Sequence, residues 1–427
     1  MTVKITKPLT GGKIKAIASK SEAHRLLICA ALADKPAFIS CSESSQDIDA
    51  TVRCQAALGA DIKHQTDGFD VTPIDRNALG RDIGKRYNLD CGESGATLRF
   101  ILPVCGALGV NAQISMSGRL PERPLAELYD QMVLNGCKLS EQGVSPLTCE
   151  GQLKSGEYIL PGNITSQYIS GLLFALPLLS GDSRIRITGE LLSRPYVDIT
   201  LHTLSKFGIE VTEESDGFTV PGSQIFKSPK TLQVGGDWSN AAFWLSAGAI
   251  GPGSITCTNL DFKSKQGDKK IIELLRCFRT YVFCEKNTAT VTPGKLKGFE
   301  IDASNIPDLV PVLAAVASVA EGKTTIYNAE RLRAKESDRL HTVTKMLTDL
   351  GADVTETDDG MEINGKSSLT GGTVESYGDH RIAMTAAILS AACENDVIIK
   401  GAEAVKKSYP AFFRDFKEIL GGDYEES

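Results

Sequence analysis

The sequence predicts an α/β fold built from six βαβαββ units, three in each of two domains. Three observations carry that expectation. One phrase of sequence returns along the chain, and an apolar helix rich in small residues precedes each return. The chain, at 427 residues with 42% hydrophobic and 23% charged residues, is also too long for one core and has a globular composition.

The returning phrase is a Gly closing a helix, a short alternating strand, a turn and a second strand. It reads "ALGADIKHQTDGFDV", "LNGCKLSEQGVSPLTCEG", "KFGIEVTEESDGFTVPG" and "DLGADVTETDDGMEING", with a degenerate copy, "CFRTYVFCEKNTATVTPG", ahead of the last. Gly59, Gly136, Gly208 and Gly351 stand where a helix end takes left-handed geometry. The "DG" pairs mark hairpin turns.

The helices are "KSEAHRLLICAALA", "ESGATLRFILPVCGAL", "TSQYISGLLFALPLL", "WSNAAFWLSAGAI", "PDLVPVLAAVASVA" and "DHRIAMTAAILSAA". Their starts recur about every 70 residues, longer than common solenoid periods. Each is apolar nearly all round, which predicts helices enclosed by strands. The strand in "GGKIKAIA" is assigned to the first unit, and the C-terminal "GAEAVKKSYPAFFRDFKEIL" to a helix without its own strand pair. The chain ends should therefore complete one domain together, with crossovers near Ala16–Ala18 and at Gly235-Gly236. The expected domains are 1–18 with 236–427, and 19–235.

Net charge is −7, which argues against a nucleic-acid partner but leaves room for small anions held by a few concentrated cations. The 11 cysteines are scattered, with no Cys-x-x-Cys pair. They read as small buried hydrophobes in a reducing compartment, not as zinc or redox sites. The 5 histidines form no metal-spaced cluster, and no apolar run approaches the ~20 residues of a membrane span.

The helix openings carry the chemistry. They are Lys20-Ser21, Glu93-Ser94-Gly95, Thr165-Ser166-Gln167, Trp238-Ser239-Asn240, Pro307-Asp308 and Asp379-His380-Arg381. Hydroxyls and Asp there are ordinary N-caps. Cations are not: Lys20, Arg25, Arg99 and Arg381 lie near the positive end of a dipole, at a cost of about 0.3–1 kcal/mol each unless an anion sits in front. The loops entering the second helices add Arg119 and Arg123 in "GRLPERPLAEL", with Pro124 expected at the first helical position. They also add Ser193, Arg194 and Tyr196 in "LLSRPYVDITL". "RLRAKESDRL" fills the same slot in a later unit. Alone, its six charges describe a solvated helix face; its place in the repeat points instead to an anion site. Lys406 and Lys407 in "VKKSYPAFF" read alone as a surface pair.

Taken together, "SKSEAHRLL", "ESGATLRF", "PERPLAEL", "TSQYISGLL", "LLSRPYVDITL", "GDWSNAAFWL", "IPDLVPVLAA", "RAKESDRL", "YGDHRIAM" and "KKSYP" run in family order from residue 19 to 410. In these the chain resembles the 5-enolpyruvylshikimate-3-phosphate synthase family of enolpyruvyl transferases. The resemblance implies an inside-out α/β barrel of two domains with the active site in the interdomain cleft. It also implies transfer of the enolpyruvyl group of phosphoenolpyruvate to the 5-hydroxyl of shikimate 3-phosphate, by a cytoplasmic monomer needing no cofactor or metal.

By position, it implies shikimate 3-phosphate contacts from Lys20, Ser21, Arg25, Thr165, Ser166, Gln167, Ser193, Tyr196, Asp308 and Lys335. For phosphoenolpyruvate it implies Lys20, Gly95, Arg123, Gln167, Arg339, Arg381 and Lys407. Asp308 becomes the expected base toward the 5-hydroxyl; from the residues alone it is equally an N-cap. Glu336, with Lys20 opposite, is the candidate for handling the carbon-bound proton. His380 either donates to substrate or caps its helix. Arg331 stands where the family often has Asn, and Glu93-Ser94-Gly95-Ala96 where it usually has Asn-Ala-Gly-Thr. The sister transferases that act on a UDP-amino sugar carry a reactive Cys in the loop equivalent to Gly118–Pro124, and this loop has none.

Overall fold

A helix that is apolar on every side has no face to offer water, so it must be wrapped. The computed structural model describes residues 1–79 and 84–427. In it the six apolar segments are helices, at Lys20–Ala31, Gly95–Leu108, Ser166–Ala175, Trp238–Ile250, Val310–Ala317 and His380–Leu389. They supply much of two separate hydrophobic cores. The chain divides into two compact units, Met1–Ile17 with Gly235–Ser427, and Ala18–Val234.

Within Ala18–Val234 three four-stranded sheets surround three of the helices. One runs Arg86–Asp90, Asn111–Ser115, Leu147–Gly151, Cys137–Leu139, and a second Glu157–Pro161, Ser183–Thr188, Gly217–Val220, Thr212–Glu214. The third runs Thr231–Gln233, Ala37–Ser40, Gly68–Thr72, Asp61–Gln65. The first two strands of each are parallel and the rest antiparallel. Parallel neighbours need a crossover, and in the first two sheets a core helix fills it. The second and third core helices meet closely. Pro103 cannot donate to the Arg99 carbonyl four residues back, and Gly171 lies against that carbonyl, where a Cβ would stand 2.1 Å from the oxygen.

The other unit repeats the plan. Its sheets are Gly12–Lys15, Ile255–Thr258, Thr288–Thr292, Tyr281–Glu285; then Glu300–Asp302, Lys323–Tyr327, Met361–Asn364, Asp353–Glu356; and Gly372–Glu375, Val397–Lys400, Thr2–Lys7, Asp423–Glu426. The last contains both chain ends: Thr2–Lys7 lies antiparallel to both Val397–Lys400 and Asp423–Glu426. In the degenerate repeat Arg279, at φ 67°, fills the left-handed slot that glycine holds elsewhere.

One expectation is corrected. The strand of "GGKIKAIA", Gly12–Lys15, does not lead the first unit; it pairs in parallel with Ile255–Thr258, Gly12 opposite Ile255. The first unit is led by Thr231–Gln233, parallel to Ala37–Ser40. The cause lies at the crossings, Ile17/Ala18 and Val234/Gly235. Ala16 N–H donates to the Thr258 carbonyl (3.0 Å) and Asp237 N–H to that of Ile17 (2.8 Å), fixing the early strand beside the fourth core helix. Val234 N–H donates to Ser40 (3.0 Å), fixing the late strand beside the first.

All eleven cysteines are unbridged, and all but Cys277, Cys284 and Cys393 are buried. Among the described residues no helix is long and apolar enough to cross a membrane, and no group of three His, Cys, Asp or Glu is arranged to hold a metal ion.

Candidate active site

In Ala18–Val234 the polar side chains gather at the starts of the core helices. Ser19, Ser94 and Thr165 cap the three helices through their hydroxyl oxygens. Lys20 opens the first and its Nζ meets Asp47 Oδ2 at 2.8 Å. Arg25, one turn further, is 3% exposed and donates three ways: Nε to Thr200 Oγ1 (2.7 Å), Nη1 to the Ser21 carbonyl (2.7 Å) and Nη2 to the Tyr196 carbonyl (3.0 Å). Its guanidinium also lies 4.9 Å from the Phe100 ring centre. Burial lowers its pKa to about 10, which still leaves it charged at neutral pH. Arg25 thus ties together Ser21 and Tyr196, two of the positions expected at the shikimate 3-phosphate site.

Arg99 donates Nη1 to Gln167 Oε1 at 2.8 Å and Nη2 to the Pro124 carbonyl at 2.8 Å. It therefore braces Gln167 against the loop that carries Arg123. A Cβ on Gly95 would stand 2.7 Å from Arg99 Nη1 and 2.9 Å from Arg123 Nη1. Gly95, Arg99 and Arg123 therefore converge. Ser193 sits at φ 57°, a strained conformation for a residue with a Cβ, just before the helix Arg194–Lys206.

Two cations of these loops turn elsewhere. Arg194 pairs with Asp198 (2.7 Å) and Glu213 (2.8 Å), and Arg119 lies 3.8 Å from Glu122 at exposed positions. Pro124 is not the first helical residue either: a short 3₁₀ turn, Leu120–Glu122, precedes a helix that begins at Ala126, so Pro124 lies in the link.

In the other unit three carboxylates and two guanidiniums form one cluster. Arg339, its side chain 2% exposed, reaches Asp379 Oδ2 through Nε (2.8 Å), Asp308 Oδ1 through Nη1 (3.0 Å) and Glu336 Oε2 through Nη2 (2.5 Å). Arg381 donates Nη2 to Asp308 Oδ2 (2.9 Å) and Nη1 to the Asp308 carbonyl (3.0 Å). Asp379 is wholly buried; besides Arg339 it accepts from the Arg381 backbone N–H (2.9 Å) and from Ser337 Oγ (3.1 Å).

The helix Val310–Ala317 has no side-chain cap, so the cap reading of Asp308 is overturned. Burial by itself would raise its pKa, but Arg381, Lys335 and Arg339 outweigh that and hold Asp308 well below the carboxylate range. Arg339 is the mirror case: desolvation opposes its charge, and Asp379, Glu336 and Asp308 overcome it. Lys407 Nζ donates to the Gly378 carbonyl at 2.7 Å, beside the helix that starts at His380. His380 is buried with Nδ1 3.8 Å from Asp379 Oδ1; Asp379, not His380, caps the helix.

The stretch "RLRAKESDRL" is thus neither a regular helix nor an exposed face. Glu330–Ala334 forms a 3₁₀ turn and a helix starts at Arg339. Arg331 donates to the carbonyls of Ala303 (3.1 Å) and Ser304 and Arg333 to Glu356 (2.5 Å) and Asp338 (3.2 Å), while Glu336 and Arg339 enter the carboxylate cluster.

Sequence reasoning missed Asp47, Thr200 and Asp268, and saw Asp379 only as a cap. Asp268 is 2% exposed, touches Ser239 Oγ through Oδ2, and leaves Oδ1 buried without a partner. Burial, with the nearby Asp308 charge, pushes its pKa up to about 7. Its only sequence signal was an acid in "KQGDKK", which is indistinguishable from a surface turn.

Fold and site define an enzyme for small polyanions on an inside-out α/β barrel. The family model of EPSP synthase (3-phosphoshikimate 1-carboxyvinyltransferase) matches residues 3–416. The 3-phosphoshikimate 1-carboxyvinyltransferase of Clostridium kluyveri is 45% identical over 97% of this chain and 96% of its own. That of Clostridioides difficile is 42% identical over 100% and 98%. Among solved structures, EPSP synthase from Acinetobacter baumannii shares the fold with a TM-score of 0.81 at 24% identity, each chain covered in full. The enolpyruvyl transferase NikO from Streptomyces tendae shares it at 0.79 and 17%, covering 100% of this chain and 98% of its own. The chain belongs to the EPSP synthase family, and its reaction is enolpyruvyl transfer from phosphoenolpyruvate to shikimate 3-phosphate.

Proposed function

We propose that the residues of each cluster serve the enolpyruvyl transfer, in a cytoplasmic monomer. In the unit Ala18–Val234, Lys20, Ser21, Arg25, Thr165, Ser166, Gln167, Ser193 and Tyr196 bind shikimate 3-phosphate, its phosphate against the capped start of the third core helix. Gly95 and Arg123 contribute to phosphoenolpyruvate, shared with Lys20 and Gln167. From the other unit Arg339, Arg381 and Lys407 grip phosphoenolpyruvate, while Asp308 and Lys335 meet the shikimate ring. Arg331, spent on two backbone carbonyls, supports the loop rather than the substrate.

The observation that carries this reading is the Asp308 carboxylate held between Arg339 and Arg381. Those forks match a carboxylate or phosphate as well as they match Asp308. When phosphoenolpyruvate draws the guanidiniums to itself, Asp308 loses much of the positive charge that keeps it a weak base. Binding of one substrate thereby makes Asp308 basic enough to take the 5-hydroxyl proton of the other.

Glu336 delivers a proton to the methylene carbon of phosphoenolpyruvate, and the 5-oxygen attacks the cationic C2. The resulting tetrahedral adduct then loses phosphate and, back to Glu336, a methyl proton. A positioned acid or base contributes about 10²–10⁴-fold to such steps. In this reading fixed charges and helix dipoles stabilise the charged centre, and no cofactor is invoked. The test is isotopic. In D₂O the native enzyme should wash deuterium into the methyl-derived carbon of product and recovered phosphoenolpyruvate. Glu336→Gln should lose that exchange while still binding both substrates. Exchange at the native rate in Glu336→Gln would remove Glu336 from the proton transfer.

A further inference from the structure

Beneath the Lys20–Asp47 pair lies a second contact one helical turn deeper. Lys20 and His24 are four apart on the first core helix, and Asp47 and Thr51 four apart on the helix Gln46–Ala57. The upper rung is the 2.8 Å ion pair; in the lower, His24 Nδ1 meets Thr51 Oγ1 at 2.6 Å. From Thr51 the contact continues to Thr97 Oγ1 at 2.7 Å, and from Thr97 to Ser94 Oγ at 2.8 Å. His24, Thr51, Thr97 and Ser94 are each no more than 1% exposed. Ser94 is the cap of the second core helix, accepting from Thr97 N–H, and the next residue is Gly95.

The chain has a direction. His24 Nε2 is buried with no partner. A buried bare acceptor is tolerated better than a buried orphan N–H, so the proton belongs on Nδ1. His24 stays neutral, since burial, Lys20 and Arg25 all disfavour its cation. Nδ1–H therefore donates to Thr51, Thr51 to Thr97, and Thr97 to Ser94. The other acceptor near Thr97 Oγ1, the Asp47 carbonyl, is further away at 3.4 Å.

We infer that His24, Thr51 and Thr97 are positioning residues for the phosphoenolpyruvate half of the reaction. They form a one-way chain of buried hydrogen bonds that locks the start of the second core helix, and with it Gly95, against the Lys20–Asp47 rung. None of the three is placed at substrate; each acts through Ser94 and Gly95. The inference rests on the reading that Gly95 serves phosphoenolpyruvate.

The test compares His24→Leu, which removes the first donor, with His24→Asn, whose amide nitrogen can replace Nδ1. His24→Leu should raise KM for phosphoenolpyruvate about tenfold, the worth of one buried hydrogen bond, leaving KM for shikimate 3-phosphate within about twofold. His24→Asn should recover most of that loss. Equal rises in both KM values, no rescue by Asn, or a loss of thermal stability with both KM values unchanged would overturn the positioning role. Nitrogen-15 correlation spectra of the native protein provide a check independent of any variant: His24 should be the Nδ1–H tautomer, and the Nε2–H form would reverse the chain and sink the inference. Arg123→Ala separates the two levels. If it leaves KM for phosphoenolpyruvate unchanged, the site reading fails; if it raises that KM while His24→Leu does not, only the positioning chain fails.

Discussion

Arg381 holds both the side chain and the main chain of Asp308, Nη2 on Oδ2 at 2.9 Å and Nη1 on the carbonyl oxygen at 3.0 Å. The same carboxylate has its other oxygen on Arg339. Arg339 also holds Glu336 and Asp379, so the cluster sets three carboxylates against two guanidiniums. An anion entering beside Asp308 competes with that carboxylate for both forks.

Asp308→Asn should therefore separate binding from turnover. It removes the proposed base, and kcat should fall by about 10²–10⁴-fold. It also removes the negative charge that Arg381 and Arg339 Nη1 share, so phosphoenolpyruvate should bind at least as tightly as before. Steady-state rates together with calorimetric titration of phosphoenolpyruvate check both halves. Weaker binding with little change in kcat would contradict the assignment.

Gly95→Ala places a methyl group 2.7 Å from Arg99 Nη1 and 2.9 Å from Arg123 Nη1. Both contacts are to the ends of flexible side chains, so the fold should survive with the guanidiniums displaced. The expected outcome is a KM for phosphoenolpyruvate raised about tenfold or more and an unfolding midpoint nearly unchanged. Initial rates and thermal melts of the two proteins make the comparison.

Arg339 is a stability element as well as a proposed binding one. Its loss leaves Asp379, wholly buried, without its guanidinium partner. Arg339→Met should destabilise its unit by about 3–5 kcal/mol in urea titrations. Arg339→Lys should recover only part, because a single ammonium cannot serve three carboxylates lying in different directions.

Two carboxylates, Asp308 half-buried and Asp268 buried, give opposite pH dependences. The pKa of Asp308 is depressed by folding, so its contribution to stability is present above the ordinary carboxylate pKa and fades as pH falls through its lowered folded value. That of Asp268 is raised from 3.8 to about 7, so its contribution is complete below 3.8 and is lost as pH rises toward 7. Asp268→Asn should accordingly raise the unfolding midpoint more at pH 8 than at pH 5. A larger gain at pH 5 would contradict the buried, unpartnered state of Oδ1.

Much of this was legible in the chain because it is local. A helix apolar on all sides and a DG turn each declare themselves within a dozen residues, and so does an arginine at a helix start. What was hidden depends on distance. Gly12–Lys15 and Thr231–Gln233 are strands of four and three residues, too short to show which sheet they join, and the crossings exchange them. Arg194 and Arg339 are alike in sequence, each beside a helix start. Only the fold shows that one meets Asp198 and Glu213 near the surface, the other three carboxylates in the interior. Asp47 and Asp268 gave no signal because an acid near a helix start is what the dipole favours anyway.

The proposed assignment gives both Arg123 and Arg381 to phosphoenolpyruvate. Its most direct test is phosphate release from shikimate 3-phosphate and phosphoenolpyruvate by Arg123→Ala and, separately, Arg381→Ala. Each variant should raise KM for phosphoenolpyruvate at least tenfold while moving that for shikimate 3-phosphate far less. If one variant affects phosphoenolpyruvate and the other affects only shikimate 3-phosphate, the two clusters do not share that substrate and the account is wrong.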